Sequence, residues 1–211
     1  MAIVWLFLFL ADLSVNLFAA SHRTLTKCLL IPLLAAYYVA AAGEMAPLVL
    51  LALAASWLGD CLLEIKGKPF SFITGLLAFL TAHILYTAAF LRDTRLPDHP
   101  GLVIPLLILP YGVYIFLLYR ALRAHLGEKK PLILLYGLAI SLMSLAALLR
   151  AWPPAALING LTFLGSACFI CSDSILAVNI FRGRTRLGHI WIMVTYAAAQ
   201  LLIVVSLVTG T

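Results

Sequence analysis

The residues of this sequence that could carry chemistry are a few ionisable, amide and hydroxyl side chains set within long apolar stretches. They are Asp12, Asn16, Asp60, Glu64, His83, Tyr86, Ser172, Asp173, Ser174, Asn179, Tyr196 and Gln200. A charged group at the depth of a bilayer costs about 2.5 kcal/mol or more unless it finds a partner. Each of these side chains is therefore a candidate for a polar site inside a membrane.

Asp60 and Asp173 are the strongest candidates, because a carboxyl group in an apolar setting needs either a partner or a proton. Two carboxyl groups can also divide acid and base roles when one stays protonated and the other stays ionised. Counting about 1.5 Å per helical residue from the span ends places Asp12, Asp60, Asp173 and Tyr196 at one depth, roughly 7 to 12 Å inside. This common depth predicts a shared polar cavity.

Several of the other side chains also have simpler structural explanations. Glu64 lies near lysines and could be a solvated interfacial residue, and Asp12 could bond to Asn16 one turn later. His83 could be an ordinary hydrogen-bonded interior histidine. The tyrosines could pack with satisfied hydroxyls, and the two serines could bond to a carbonyl one turn back in their own helix.

The spacing of a metal site or of a serine hydrolase is absent from the sequence. There is no HExxH motif, the histidines at 22, 83, 99, 125 and 189 do not cluster, and there is no GxSxG motif. The cysteines at 28, 61, 168 and 171 lie in apolar runs, where a thiol behaves as a small hydrophobe, and we expect no disulfide. No metal or other cofactor is expected.

Composition indicates how these side chains are positioned. Of the 211 residues, 64% are hydrophobic and 10% are charged, against roughly a quarter charged in an ordinary soluble domain. The apolar runs approach the roughly 20 residues that a helix needs to cross a bilayer. We therefore expect an all-α polytopic bundle with about eight spans, formed by residues 1–211 as a single integral membrane domain. The expected spans are 2–20, 28–42, 47–65, 70–91, 101–119, 132–149, 155–181 and 189–208.

Lysine and arginine are distributed unevenly among the links between these spans. Alternate links carry Arg23, Lys27, Lys66, Lys68, Arg120, Arg123, Lys129, Lys130, Arg182, Arg184 and Arg186, whereas the opposite side carries Arg92, Arg95 and Arg150. We call the first set the basic links. Cytoplasmic links retain positive charge, so both termini are expected on the non-cytoplasmic side. Contact with anionic headgroups explains the net charge of +6 without nucleic acid.

Four segments, in order, resemble the lysoplasmalogenase (YhhN-like) family. They are SWLGD at 56–60, FxxGxxAFxxAHxxY at 72–86, FICSDSILA at 169–177 and YAAAQLLI at 196–203. Thr26 and Lys27 are also similar to the family's entry to its second span, although Cys28 replaces a proline there. The resemblance covers nearly the whole chain and implies a multi-spanning membrane enzyme, expected here in a bacterial inner membrane.

The resemblance implies hydrolysis of the vinyl ether bond of a lysoplasmalogen, giving a fatty aldehyde and glycerophosphoethanolamine or glycerophosphocholine. The expected partners are this lysophospholipid substrate and membrane lipids. Protonation of the β-carbon would create an oxocarbenium ion that water captures, a task suited to Asp60 and Asp173 as the catalytic pair. The expected substrate-binding residues are Lys27 for the phosphate, and His83, Tyr86, Ser172, Tyr196 and Gln200 for water and the glycerol oxygens.

Two other functions use the same residues. A proton-coupled or lipid transporter would place the Asp, His and Tyr layer along its path, and discontinuous helices would favour that function. A structural subunit would use the polar residues only to join helices. Aldehyde release by purified protein would distinguish the enzyme from both.

The uneven charge distribution leads to a first prediction. We expect reporter fusions at either terminus to report a non-cytoplasmic location, and a fusion in the 182–186 link to report the cytoplasm, because translocating the basic links is unfavourable. A terminus found in the cytoplasm would contradict this topology.

Overall fold

The computed structural model describes residues 2–65, 68–92, 94, 100–151, 157–183, 185 and 187–209. Within these residues the chain forms eight α-helices and no strand. They are α1 (Ala2–Phe18), α2 (Arg23–Ala41), α3 (Pro47–Glu64), α4 (Pro69–Arg92), α5 (Pro100–Leu122), α6 (Lys130–Arg150), α7 (Leu157–Phe181) and α8 (Gly188–Thr209). The predicted all-α fold is confirmed. Lys66, Arg95, Arg184 and Arg186, which contribute to the charge distribution, and the start of the seventh expected span, lie outside the described residues.

The helices have the length and composition of an integral multi-pass membrane protein. Seven of them are long and apolar enough to cross a bilayer, and α1 is an apolar helix of 17 residues, at the lower end of the spanning range. Large apolar side chains point outward, including Ile3, Leu106 and Phe116, which are 81%, 69% and 60% exposed. Lipid must cover this surface, because water would not.

The second helix starts earlier than its apolar run. The expected span began at residue 28, but α2 begins at Arg23 and has 19 residues. The side-chain amide of Asn16 donates to the carbonyl of Arg23 and to the hydroxyl of Thr26, both at 2.9 Å. This support holds the first turn of α2 in place, so Lys27 belongs to the helix and not to a link.

Neighbouring helices pair as hairpins, with α1 on α2, α3 on α4, and α7 on α8, while α6 packs against α4 and α7. The helix α5 lies at the edge and, among the described helices, contacts α6 and α7 only. Two hydroxyl pairs attach it, Tyr111 with Ser144 and Tyr114 with Ser174, each at 3.0 Å. The core consequently forms from the other helices, and α5 covers it loosely.

Arg150 differs from the sequence interpretation, which counted it among link cations. It ends α6 and is 5% exposed. Its guanidinium donates to the hydroxyls of Thr162 at 2.8 Å and Ser206 at 3.2 Å. Arg150 therefore joins α6, α7 and α8 at the end of the bundle opposite the basic links.

A close approach between α7 and α8 at Gly165 generates a second prediction. A Cβ at Gly165 would lie 2.8 Å from Ile203 Cγ1 and 2.9 Å from the main-chain oxygen of Ala199. Because a backbone atom cannot move without its helix, Gly165→Ala should lower stability by about 1 to 3 kcal/mol. The measurement is the melting temperature in detergent.

Gly160→Ala on the same helix is the matched control, because no atom lies within 4 Å of a Cβ there. Alanine also favours a helix over glycine by roughly 0.8 to 1 kcal/mol, so this variant should melt at or above the wild-type temperature. If Gly165→Ala melts no lower than Gly160→Ala, the close packing of α7 on α8 is wrong.

Candidate active site

Asp60, near the end of α3, is the centre of a buried hydrogen-bond network. The residue is 1% exposed. The hydroxyl of Tyr196 on α8 donates to Asp60 Oδ2 at 2.6 Å, and Lys27 Nζ on α2 lies 3.9 Å from Asp60 Oδ1. One helix thus supplies the carboxyl group, and two others supply a hydrogen bond and a positive charge.

Further hydrogen bonds extend this network into the core. The hydroxyl of Tyr86 donates to Gln200 Oε1 at 2.7 Å, and Gln200 Nε2 lies 3.5 Å from the Tyr196 hydroxyl oxygen. Tyr86 and Gln200 are each 0% exposed. The sequence offered these residues as binding candidates, and the structure joins them in a chain that ends at Asp60.

A polar cluster between α2 and α3 connects Asp60 to the end of the bundle where the basic links lie. Lys27 Nζ lies 3.1 Å from Glu64 Oε1, and the hydroxyl of Thr24 donates to Glu64 Oε2 at 3.0 Å. The side chains of Lys27 and Glu64 are 15% and 22% exposed. Glu64 is therefore a partner of Lys27 and not simply a solvated interfacial residue, and the Lys27 ammonium lies between two carboxyl groups.

Asp173 on α7 has different partners. The hydroxyl of Tyr136 on α6 donates to Asp173 Oδ2, and His83 Nε2 on α4 lies 3.6 Å from the same oxygen. Among the described residues, neither lysine nor arginine forms an ion pair with Asp173. Of the two carboxyl groups, only Asp60 has an ammonium group beside it among the described residues.

Tyr136 was not among the site residues expected from the sequence. It stands in the apolar run of the sixth span, where a tyrosine looks like a packing residue. The signal that could have identified Tyr136 is its depth. Tyr136 lies four residues after the expected start of the span at 132, and a rise of about 1.5 Å per residue puts it near the level estimated for the two aspartates. A hydroxyl at that depth needs a partner, and Asp173 is the partner.

Aromatic rings fill the space between the two aspartates. Phe169 lies edge-on to both His83 and Tyr196, with ring centroids 4.9 and 5.5 Å apart. The ring of Phe79 lies 5.9 Å from that of Tyr196 and covers Gly59, where a Cβ would lie 2.6 Å from Phe79 Cδ2. These contacts fix the rings of His83 and Tyr196 and shield Asp60, which is 1% exposed, from bulk water.

An apolar cavity of about 40 Å³ begins at Asp173. Residues of the five helices α3 to α7 form its walls. Besides Asp173, they are Leu63, Phe72, Leu76, Phe79, Tyr114, Leu118, Ile133, Tyr136, Gly137, Leu176, Ala177, Ile180 and Phe181. This volume is about the size of a few water molecules. Because the loosely packed α5 forms one wall, the cavity can widen toward the lipid.

The remaining candidates lie beside this network or apart from it. The hydroxyl of Ser172 donates to the carbonyl of Ile192 on α8 at 3.2 Å, so the expected bond one turn back in its own helix is wrong. Ser174 does make that bond, to Ile170 at 2.6 Å. Asn16 is not bonded to Asp12, and Asp12 Oδ2 has no hydrogen-bond partner among the described residues.

Comparison with known proteins places the chain in a family. The model of the YhhN family matches residues 22–207. The human lysoplasmalogenase TMEM86B is 35% identical over 186 residues, which cover 86% of this chain and 74% of the human protein. The mouse lysoplasmalogenase TMEM86B is 33% identical over 80% of this chain and 66% of its own length.

A bacterial relative shows the same likeness. The lysoplasmalogenase of Mycobacterium bovis is 31% identical over 75% of this chain and 59% of its own length. No solved structure matches the chain. The family model covers the helices that carry both aspartates, their tyrosine partners and the histidine between them, and the chain belongs to the YhhN family.

Proposed function

We propose that this protein is a lysoplasmalogenase-type ether hydrolase. Its substrate would be a lysoplasmalogen, and its products a fatty aldehyde and glycerophosphoethanolamine or glycerophosphocholine. The observation that carries the proposal is the position of the two aspartates, between a charged cluster on one side and an apolar cavity on the other. The names of the relatives support the same activity.

The site has a charged end and an apolar end, as a lysophospholipid does. The charged cluster of Lys27 and Glu64 lies between α2 and α3, on the side of Asp60 where the polar headgroup would lie. The apolar cavity beyond Asp173 would take the hydrocarbon chain. The vinyl ether joins glycerol to that chain, so it would lie between Asp60 and Asp173, and outward movement of α5 would admit the chain.

The different partners of the two carboxyl groups support different roles for them in this proposal. Lys27 and the donating hydroxyl of Tyr196 stabilise Asp60 in its ionised form. Asp173 lies against the apolar cavity without a lysine or arginine partner among the described residues, which favours its protonated form. Asp173 is then the acid beside the hydrocarbon, and Asp60 is the anion beside the glycerol.

The reaction would proceed in three steps. Asp173 donates its proton to the β-carbon of the vinyl ether, which leaves an oxocarbenium ion stabilised by the negative charge of Asp60. Water adds to the carbon attached to oxygen and loses a proton, giving a hemiacetal. The hemiacetal then breaks its bond to the glycerol oxygen, which takes up a proton as the aldehyde leaves.

The helices that carry the site do not favour the transporter alternative. In the described residues α3, α4, α6, α7 and α8 are each continuous, whereas transport at a buried ion site commonly uses interrupted helices. We place the enzyme in a bacterial inner membrane, with the charged cluster toward the cytoplasm, as the basic links predict.

The third prediction tests the carboxyl pair. Asp60→Asn and Asp173→Asn should each lower aldehyde release from a lysoplasmalogen by about 10²-fold or more, because asparagine can neither donate a catalytic proton nor carry a negative charge. Glu64→Gln should keep most of the activity, since Glu64 contacts Lys27 and lies farther from the cavity. The assay measures free aldehyde from purified protein.

Melting temperatures in detergent provide the folding control. An asparagine variant that melts like the wild type and keeps more than about a tenth of its turnover, well short of the loss expected for a general acid, would exclude the two-carboxyl mechanism. A wild-type protein that releases no aldehyde would exclude the proposed function itself.

The fourth prediction separates two roles for Lys27. If its ammonium mainly stabilises Asp60, Lys27→Gln should lower turnover of a lysoplasmalogen and of a 1-alkenylglycerol, which has no phosphate, by similar factors. If Lys27 mainly binds the phosphate, only the lysoplasmalogen should be affected. We expect losses within about threefold of each other, a difference under 1 kcal/mol, because two carboxyl groups already neighbour Lys27. Lys68→Gln, an exposed lysine on the same side, is the control and should lose little.

A further inference from the structure

His83 is held in one orientation deep inside the bundle. It is 1% exposed and packs edge-on against the rings of Tyr136 and Phe169, with centroids 5.2 and 4.9 Å away. Its Nδ1 contacts the main-chain carbonyl of Phe79. A carbonyl oxygen only accepts hydrogen bonds, so Nδ1 must carry the hydrogen, and in the neutral ring Nε2 is left with a lone pair.

That lone pair points at the acid of the proposed reaction. His83 Nε2 has no hydrogen-bond partner among the described residues and lies 3.6 Å from Asp173 Oδ2. This separation exceeds a hydrogen bond, which ends at about 3.2 Å, but a small approach or one intervening water would permit proton transfer. A buried acceptor beside a carboxyl group is costly unless it is used.

We propose that His83 carries the proton that reloads Asp173 after each turnover. The inference rests on the proposed function. Once Asp173 has given its proton to the β-carbon, it is a carboxylate and cannot act again. When water adds to the oxocarbenium ion, a carbon–oxygen bond forms and one water proton passes to His83 Nε2.

The imidazolium formed in this way faces a carboxylate and returns the proton to it, which restores neutral His83 and protonated Asp173. The net change is addition of one water molecule, with no proton gained or lost. Tyr136 on α6 also packs against His83. Its hydroxyl donates to Asp173 Oδ2, and it can pass a proton to Asp173 only if it receives another proton in exchange. Lys27 and Asp60 belong to the other half of the site.

A burst experiment tests this cycle. His83→Gln places an amide near Nε2 that can hold water but cannot accept its proton, and His83→Asn keeps a donor near Nδ1 but removes Nε2. Each variant is mixed with excess lysoplasmalogen, and aldehyde is measured from the first turnover onward. Asp173 starts the first turnover with its proton, and the proton that the adding water loses can leave to solvent, because the Asp173 side chain is 11% exposed. We therefore expect about one aldehyde per protein at nearly the wild-type rate, followed by turnover about 10² to 10⁴ times slower. Lower pH should speed the slow phase, because solvent protons then reload Asp173.

The outcomes distinguish the relay from the proposed function. A variant with an unchanged melting temperature and steady turnover within about threefold of wild type, far from the loss expected for a proton carrier, would overturn the relay alone. Loss of the first turnover as well would also overturn it, since His83 would then act in binding or positioning. If the wild type releases no aldehyde, the proposed function and the relay both fail.

Discussion

The constraint on which the rest of this structure depends is the cost of a carboxyl group within a hydrocarbon layer. An ionised carboxylate cannot remain there alone, so each intramembrane aspartate must have donors or a cation, or must hold a proton. Asp60 meets this requirement with Tyr196 and Lys27, and Asp173 meets it with Tyr136. These partners come from three other helices, which must therefore pack at one depth and in fixed rotation.

The unequal partners of the two aspartates are the source of the proposed chemistry. If both had a lysine, both would be ionised and no acid would be available at neutral pH. If neither had one, no anion would face the developing oxocarbenium ion. The same difference in partners gives the site two ends of different polarity. Asp60 lies beside Lys27, which pairs with the partly exposed Glu64, whereas Asp173 lies at an apolar cavity.

Helix packing protects this arrangement while leaving a way in for a lipid. Close contacts such as those at Gly59 and Gly165 fix the α3–α4 and α7–α8 hairpins, which carry both aspartates, His83 and Tyr196. By contrast, α5 is attached by two hydroxyl pairs and covers the cavity. The closely packed helices thus hold both aspartates, and α5 lies where a hydrocarbon chain would enter in the proposed function.

The sequence by itself determined the all-α membrane fold, the approximate spans and the choice of Asp60 and Asp173, because run length, composition and the cost of buried charge act locally along the chain. It also placed Tyr196 at the depth of these aspartates, and the family resemblance named Gln200, Tyr86 and His83 as binding candidates. Four features are seen only in the tertiary structure. Tyr136 bonds to Asp173, and Lys27 lies between Asp60 and Glu64. In addition, α2 begins at Arg23, and Arg150 is buried. Depth can be counted from a sequence, but rotation about each helix axis is decided by packing between helices distant in the chain, and that rotation determines which side chains meet.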